Sequence, residues 1–177
     1  MERGVIMDAY VELARNTIEN YVRYQRIYRP SREELTQEMM TERAGAFVSI
    51  HEKGQLRGCI GTILPVQENL AMEVVMNAIS ASTRDPRFLA VESWELPYLE
   101  VKVDVLTEPE QIASEADLDV KRYGVIVEKG RRRGLLLPDL EGVDTVEEQV
   151  SIAKQKAGIL EDDPFVTLYR FEVIRHV

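Results

Sequence analysis

The sequence predicts an α+β fold, an antiparallel β-sheet flanked by α-helices. Three observations carry that expectation. Two pairs of apolar runs meet across glycine-bearing tips, which reads as two β-hairpins. One later run alternates strictly between apolar and charged residues, the mark of a strand with one buried and one wet face. Around these lie stretches whose apolar residues recur at three- and four-residue steps, as amphipathic helices require.

Taken in order, residues 5–28 predict a helix. Val11, Ala14, Ile18 and Val22 form its stripe, widened by Ile6, Tyr10, Leu13 and Tyr21, and Arg29-Pro30 ends it. Ser31 and Glu34 have capping-box spacing and open a short helical turn through about Met40. "AGAFVSI" (44–50) and "LRGCIGTIL" (56–64) predict a hairpin turned at Gly54, with Pro65 stopping its second strand. In a two-residue-turn register Val48 falls opposite Cys59 and Ile50 opposite Arg57; a bulge would change that pairing.

Leu70, Val74, Ala78 and Ala81 predict a helix over 67–82, which breaks at "RDPRF" because Pro86 disfavours a helical Asp85. "LEVKVDVLT" (99–107) is the alternating strand, with Leu99, Val101, Val103 and Val105 inward and Glu100, Lys102 and Asp104 outward. "YGVIVEKGRRRGLLLP" (123–138) predicts the second hairpin. Asp144 or Thr145 caps a helix that closes at Gly158, and one last strand covers 165–174.

A chain of 177 residues suits one domain, with room for two lobes. Its 22 Lys+Arg against 31 Asp+Glu give a net charge of −9, a field that repels phosphate backbones and anionic lipid. Neither nucleic acid nor membrane is therefore an expected partner; homo-oligomerisation is left open. Arg131 to Arg133 lie between two glycines and read as a solvated loop tip. A single cysteine forms no internal disulfide, no apolar run approaches a membrane span, and "MERGVIMDAY" lacks a signal-peptide core. Those features predict a soluble cytoplasmic protein. One cysteine and two distant histidines offer no zinc spacing, so no metal-ligating residues are assigned; a carboxylate-held Mg²⁺ or Mn²⁺ stays open, and no cofactor motif appears.

The chemistry-bearing stretch is "QLRGCIGTILP" (55–65). Unbroken alternation puts Arg57, Cys59 and Gly61 on one strand face. A guanidinium one pleat away favours the thiolate, and Gly61 leaves space beside the sulfur. The alternative is a small buried apolar residue, which is what free cysteine most often is. The absent base favours that alternative: His51 falls at the hairpin turn and His176 at a chain end read as frayed. "STRDPRF" (82–88) adds Arg84, Asp85 and Arg87 around Pro86. Two arginines in a rigid turn can hold a carboxylate or phosphate, whereas the simpler reading is helix termination.

Together "LRGCIGT" (56–62), "NAISASTRDPRF" (77–88), "LEVKVDVLTEPEQI" (99–112), "YGVIVEKGRRRGLLLP" (123–138) and "KQKAGI" (154–159) resemble the AMMECR family, named for the Alport syndrome, midface hypoplasia and elliptocytosis chromosomal region. The likeness runs from about residue 5 to the end. It implies an antiparallel sheet flanked by helices with a smaller second lobe, and it sets residues 56–61 near the junction of the lobes. It brings no assigned reaction. It implies radical-SAM and Memo-type proteins as partners in a shared pathway. By position it makes Arg57, Gly58, Cys59, Gly61, Asp85, Pro86 and Arg87 the candidate site residues. The family's frequent tryptophan and later cysteine are replaced here, by Val146 and by Ala153 or Lys154. Two functions follow as expectations. One is a binding or accessory module for a small ligand or a protein partner, using Arg57, Gly58, Cys59, Gly61, Asp85 and Arg87. The other is an enzyme with Cys59 as nucleophile or thiol acceptor, with Arg57, Asp85 and Arg87 around a small anionic substrate.

Overall fold

A computed structural model describes residues 7–177. Along the chain run α1 (Ala9–Tyr24), α2 (Gln37–Thr41), β1 (Ala46–Glu52), β2 (Gln55–Thr62), α3 (Leu70–Thr83) and β3 (Leu99–Leu106). They are followed by β4 (Glu110–Ile112), β5 (Gly124–Lys129), β6 (Arg132–Leu136), α4 (Val146–Ala157), β7 (Thr167–Phe171) and β8 (Val173–His176). The class is the predicted one, α+β with antiparallel pairing. The strands divide between two four-stranded sheets, in the orders β2-β1-β3-β8 and β4-β7-β5-β6. The chain correspondingly forms two compact units, one made of residues up to Val105 with Ile174–Val177, the other of Leu106–Val173.

In the first unit, α1 starts at Asp8, whose carboxylate accepts the Tyr10 backbone N–H at 2.8 Å. The expected start at residues 5 and 6 lies outside the described residues. The helix ends at Gln25, which takes φ 58 and donates its N–H to the Tyr21 carbonyl, four residues before the expected Arg29-Pro30 stop. Ser31 opens only a 3-10 turn, its N–H donating to the Glu34 carboxylate at 2.6 Å; Thr36 caps α2 separately. Val48, Ile50, Val101 and Val103 line the inner sheet face against Leu13, Ile18, Val74, Ala78 and Ile79 of α1 and α3, all buried. That is the alternation of strands meeting the stripe of helices, the main apolar contribution to this unit's stability.

The outer face of β3 departs from the expected wet one. Glu100 is exposed, but Asp104 is only 3% exposed, and Arg175 of β8 grips its carboxylate through two bonds of 2.8 and 3.1 Å. An added neighbour strand turned a solvent position into a paired one.

In the second unit, Val125, Val127, Leu136, Val150, Ala153 and Leu168 form the core between the sheet and α4. Thr145 caps α4 through the Glu148 N–H, and Gly158 closes it at φ 69, both as expected. β4 carries no apolar alternation and was not foreseen. The predicted last strand is two strands in different sheets: the Glu172 N–H donates to the Thr107 hydroxyl at 2.7 Å, and the chain breaks pairing there. Arg132 and Arg133 lie in β6 rather than at the tip, with Arg133 paired to Glu128.

Candidate functional site

The hairpin of β1 and β2 has a bulge that resets the expected register. Val48 faces Ile60, Ser49 faces Cys59 and Ile50 faces Gly58, while His51 faces Leu56, so Arg57 is the extra residue. The expected partners of Cys59 and Arg57 are thus corrected. So is their shared face, because one inserted residue breaks the two-residue alternation. Arg57 turns instead to the segment after α3. Its Nε donates to Glu95 Oε1 at 2.8 Å, its Nη2 to Glu95 Oε2 at 3.2 Å and its Nη1 to the Leu89 carbonyl at 2.8 Å.

Cys59 meets the other arginine of the pattern. β2 is an edge strand, and on its open side the Cys59 N–H donates to Asp85 Oδ2 at 3.0 Å while Arg87 Nη2 donates to the Cys59 carbonyl at 3.3 Å. Asp85 and Arg87 thereby supply the acceptor and the donor that a neighbouring strand would supply, and Pro86 fixes the turn that spaces them. Asp85 is 4% exposed and also accepts from the Arg87 N–H at 3.0 Å, Nε at 3.1 Å and Nη2 at 2.9 Å. The Arg87 guanidinium, with help from both backbone N–H groups, holds its carboxyl well below the usual carboxylate range. Of the three arginines singled out in the sequence, Arg87 is ion-paired to Asp85 and Arg57 to Glu95, while Arg84 donates to the Tyr21 hydroxyl at 3.4 Å.

The glycines mark close approaches within this unit. A Cβ on Gly58 would lie 2.1 Å from the Ala81 carbonyl oxygen of α3, so the strand passes directly beneath the helix backbone. At Gly61 a Cβ would lie 2.2 Å from the Phe47 ring. The space expected beside the sulfur is filled by that ring, because Phe47 sits opposite Gly61 across the hairpin.

Burial pushes the Cys59 thiol up; Arg87 and Arg175 pull it down and Asp104 and Asp85 oppose them. Arg57 is not among these influences. Neither histidine serves the sulfur as a hydrogen-bonded base. His51 is half-buried, with its Nδ1 unpaired among the described residues. His176, expected to fray, is anchored: its Nδ1 lies 2.8 Å from Asp8 Oδ2 and its ring stacks on Tyr10 at 4.1 Å between centroids. No group of three or more metal-ligating side chains occurs among the described residues. Nor is any described helix long and apolar enough to cross a membrane.

Sequence reasoning missed two members of this region, Glu95 and Leu89. Glu95 is buried in a 3-10 turn (Ser93–Tyr98), and its carboxylate also accepts the Glu92 N–H at 2.7 Å. Leu89 is 88% exposed, although Arg57 fixes its carbonyl. Trp94 (63% exposed), Tyr98 and Leu56 are further exposed apolar residues, the first two on the turn that carries Glu95 and the last adjoining Arg57 in sequence. The surplus of apolar residues in "FLAVESWELPY" was the available signal; nothing in it revealed which would stay outside.

The AMMECR1 family pattern matches residues 11–176. The chain belongs to the AMMECR1 family. A protein of Thermotoga maritima is 56% identical over 168 residues, covering 94% of this chain and 96% of that one. A Clostridium acetobutylicum protein is 48% identical over 96% of this chain, which matches 36% of that longer protein. Among solved structures, the crystal structure of an uncharacterised protein from Pyrococcus horikoshii superposes with a TM-score of 0.85 at 34% identity, covering 94% of this chain and 88% of that one. The AMMECR1 resemblance inferred from the hexapeptide and the Asp-Pro-Arg turn is thus correct, as is the α+β class.

Proposed function

We propose that this AMMECR1 chain is a binding or accessory module whose first unit docks a protein partner at the exposed apolar residues around Arg57, acting with radical-SAM and Memo-type proteins. The observation that carries the reading is Leu89. Its side chain is 88% exposed while its carbonyl is held by a guanidinium that is itself fixed to a buried carboxylate. A large apolar group presented on a rigid support loses little conformational entropy when a partner covers it. Trp94 follows five residues later, on the 3-10 turn that carries Glu95, its indole N–H donating to Glu92 at 2.6 Å, and tryptophan is a frequent anchor of interfaces.

The nucleophilic alternative draws no comparable support. Burial raises the Cys59 thiol and no histidine is hydrogen-bonded to it. A small anion competing for Arg57 or Arg87 would also have to displace Glu95 or Asp85. Docking at Leu89 leaves both pairs intact.

The test is titration of the chain with radical-SAM and Memo-type proteins, by calorimetry. Leu89→Asp should weaken binding at least tenfold while circular dichroism and melting stay as in the wild type. Equal affinity of a folded Leu89→Asp would remove the reading.

A further inference from the structure

Building on that docking reading, we propose that the partner segment carries a lysine or arginine beside its apolar contact, and that the Glu52–Glu95 carboxyl pair receives this cation. The argument is one of unmatched charge. Arg57 is one guanidinium facing two carboxyl groups: its Nε is 2.8 Å from Glu95 Oε1 and 4.0 Å from Glu52 Oε2. Glu95 takes both short bonds, so Glu52 is left with a distant share of a charge already used.

Glu52 is not simply a solvated surface acid. It is half-buried at the end of β1, it shares the Arg57 Nε with Glu95, and burial together with that neighbour pushes its carboxyl up. Lys53 and Arg57 act in the opposite direction and do not overcome this. Glu92, the third carboxylate here, is turned to the Trp94 indole. Three carboxyl groups, those of Glu52, Glu92 and Glu95, thus face two cations, Lys53 and Arg57.

A partner ammonium or guanidinium placed at the Glu52 side of this pair would supply the missing charge. Exposed apolar residues adjoin this pair along the chain and through the Arg57 bonds. Leu56 adjoins Arg57 in sequence, Arg57 bonds the Leu89 carbonyl, and Trp94 adjoins Glu95. The surface therefore selects a combination of basic and apolar side chains and disfavours an acidic segment.

The experiment is selection of random displayed peptides on the immobilised full-length chain, followed by affinity measurement of the enriched peptides at low and high salt. Peptides combining Lys or Arg with a large apolar residue should dominate. Leu89→Asp should weaken them at least tenfold. Glu52→Gln should weaken them about fivefold and flatten their salt dependence, the scale of one partly desolvated ion pair. Peptides that need Leu89, lack a basic residue and bind Glu52→Gln like the wild type would overturn the cation proposal and leave the docking reading standing. A selection yielding no Leu89-dependent peptide would overturn both.

Discussion

At the scale of single residues, Asp85 carries more than its ion pair. It accepts four hydrogen bonds, from the Cys59 N–H and from the Arg87 backbone and guanidinium. Asp85→Asn keeps the shape, removes the charge and turns one acceptor into a donor. It should cost about 2–3 kcal/mol in urea unfolding, from hydrogen bonds to a buried charged group. Arg87→Ala should cost less, because the Arg87 side chain is largely exposed and the two backbone N–H donors to Asp85 survive. The pH sign follows from the depressed carboxyl. Its stabilisation is complete above the unfolded value of about 3.9 and is lost as pH falls through the lower folded one. Wild-type stability should therefore fall more steeply below about pH 4 than that of Asp85→Asn. Cys59 is predicted to react slowly with iodoacetamide in the folded state, with the rate rising at higher pH than for a free thiol. A midpoint at or below the ordinary thiol range, about 8.5, would show an activated sulfur instead.

At the scale of elements, both units use one device. Gly58 of β2 lies beneath the Ala81 carbonyl of α3, and Gly134 of β6 beneath the Ala153 carbonyl of α4, where a Cβ would fall 2.1 and 1.9 Å from the respective oxygens. Backbone cannot yield as a side-chain end can. Gly58→Ala and Gly134→Ala should each cost about 1–3 kcal/mol by overpacking, read from urea midpoints, and either variant at wild-type stability would contradict the close approach. Most elements were legible because their apolar periods are clean: α3, β3 and the two hairpins follow from residue spacing alone. The candidate site was less legible. The hexapeptide and the Asp-Pro-Arg turn pointed to the right strand and turn. The bulge at Arg57 did not show, since a single extra residue leaves the local composition unchanged while reversing every side chain before it. Glu95 did not show either, because its pairing with Arg57 spans 38 residues of chain and follows no spacing rule.

At the scale of the whole molecule, the first unit is closed by the last residues of the chain. β8 supplies Arg175 to the buried Asp104, and His176 to Asp8 at the start of α1. Removing residues 174–177 should destabilise the first unit by about 3 kcal/mol, because a buried carboxylate would lose its charged partner. Hydrogen exchange should show the loss in β1 and β3 and leave β5 and β7 protected. Unchanged exchange in β3 would contradict that closure. The split of one expected strand into β7 and β8 was illegible from alternation, since "FVTLYRFEVI" keeps its period across the break. What breaks it is a tertiary hydrogen bond between Glu172 and Thr107, 65 residues apart.

The central claim is that the hexapeptide and its Asp-Pro-Arg turn are a support for an exposed docking surface rather than the seat of thiol chemistry. The measurement that tests it most directly compares Cys59→Ser and Leu89→Asp side by side for affinity toward the radical-SAM and Memo-type proteins proposed as partners. Cys59→Ser should bind within about twofold of the wild type, since its backbone bonds to Asp85 and Arg87 persist, and Leu89→Asp should lose at least tenfold. Loss of binding in a folded Cys59→Ser, with Leu89→Asp unaffected, would contradict the claim.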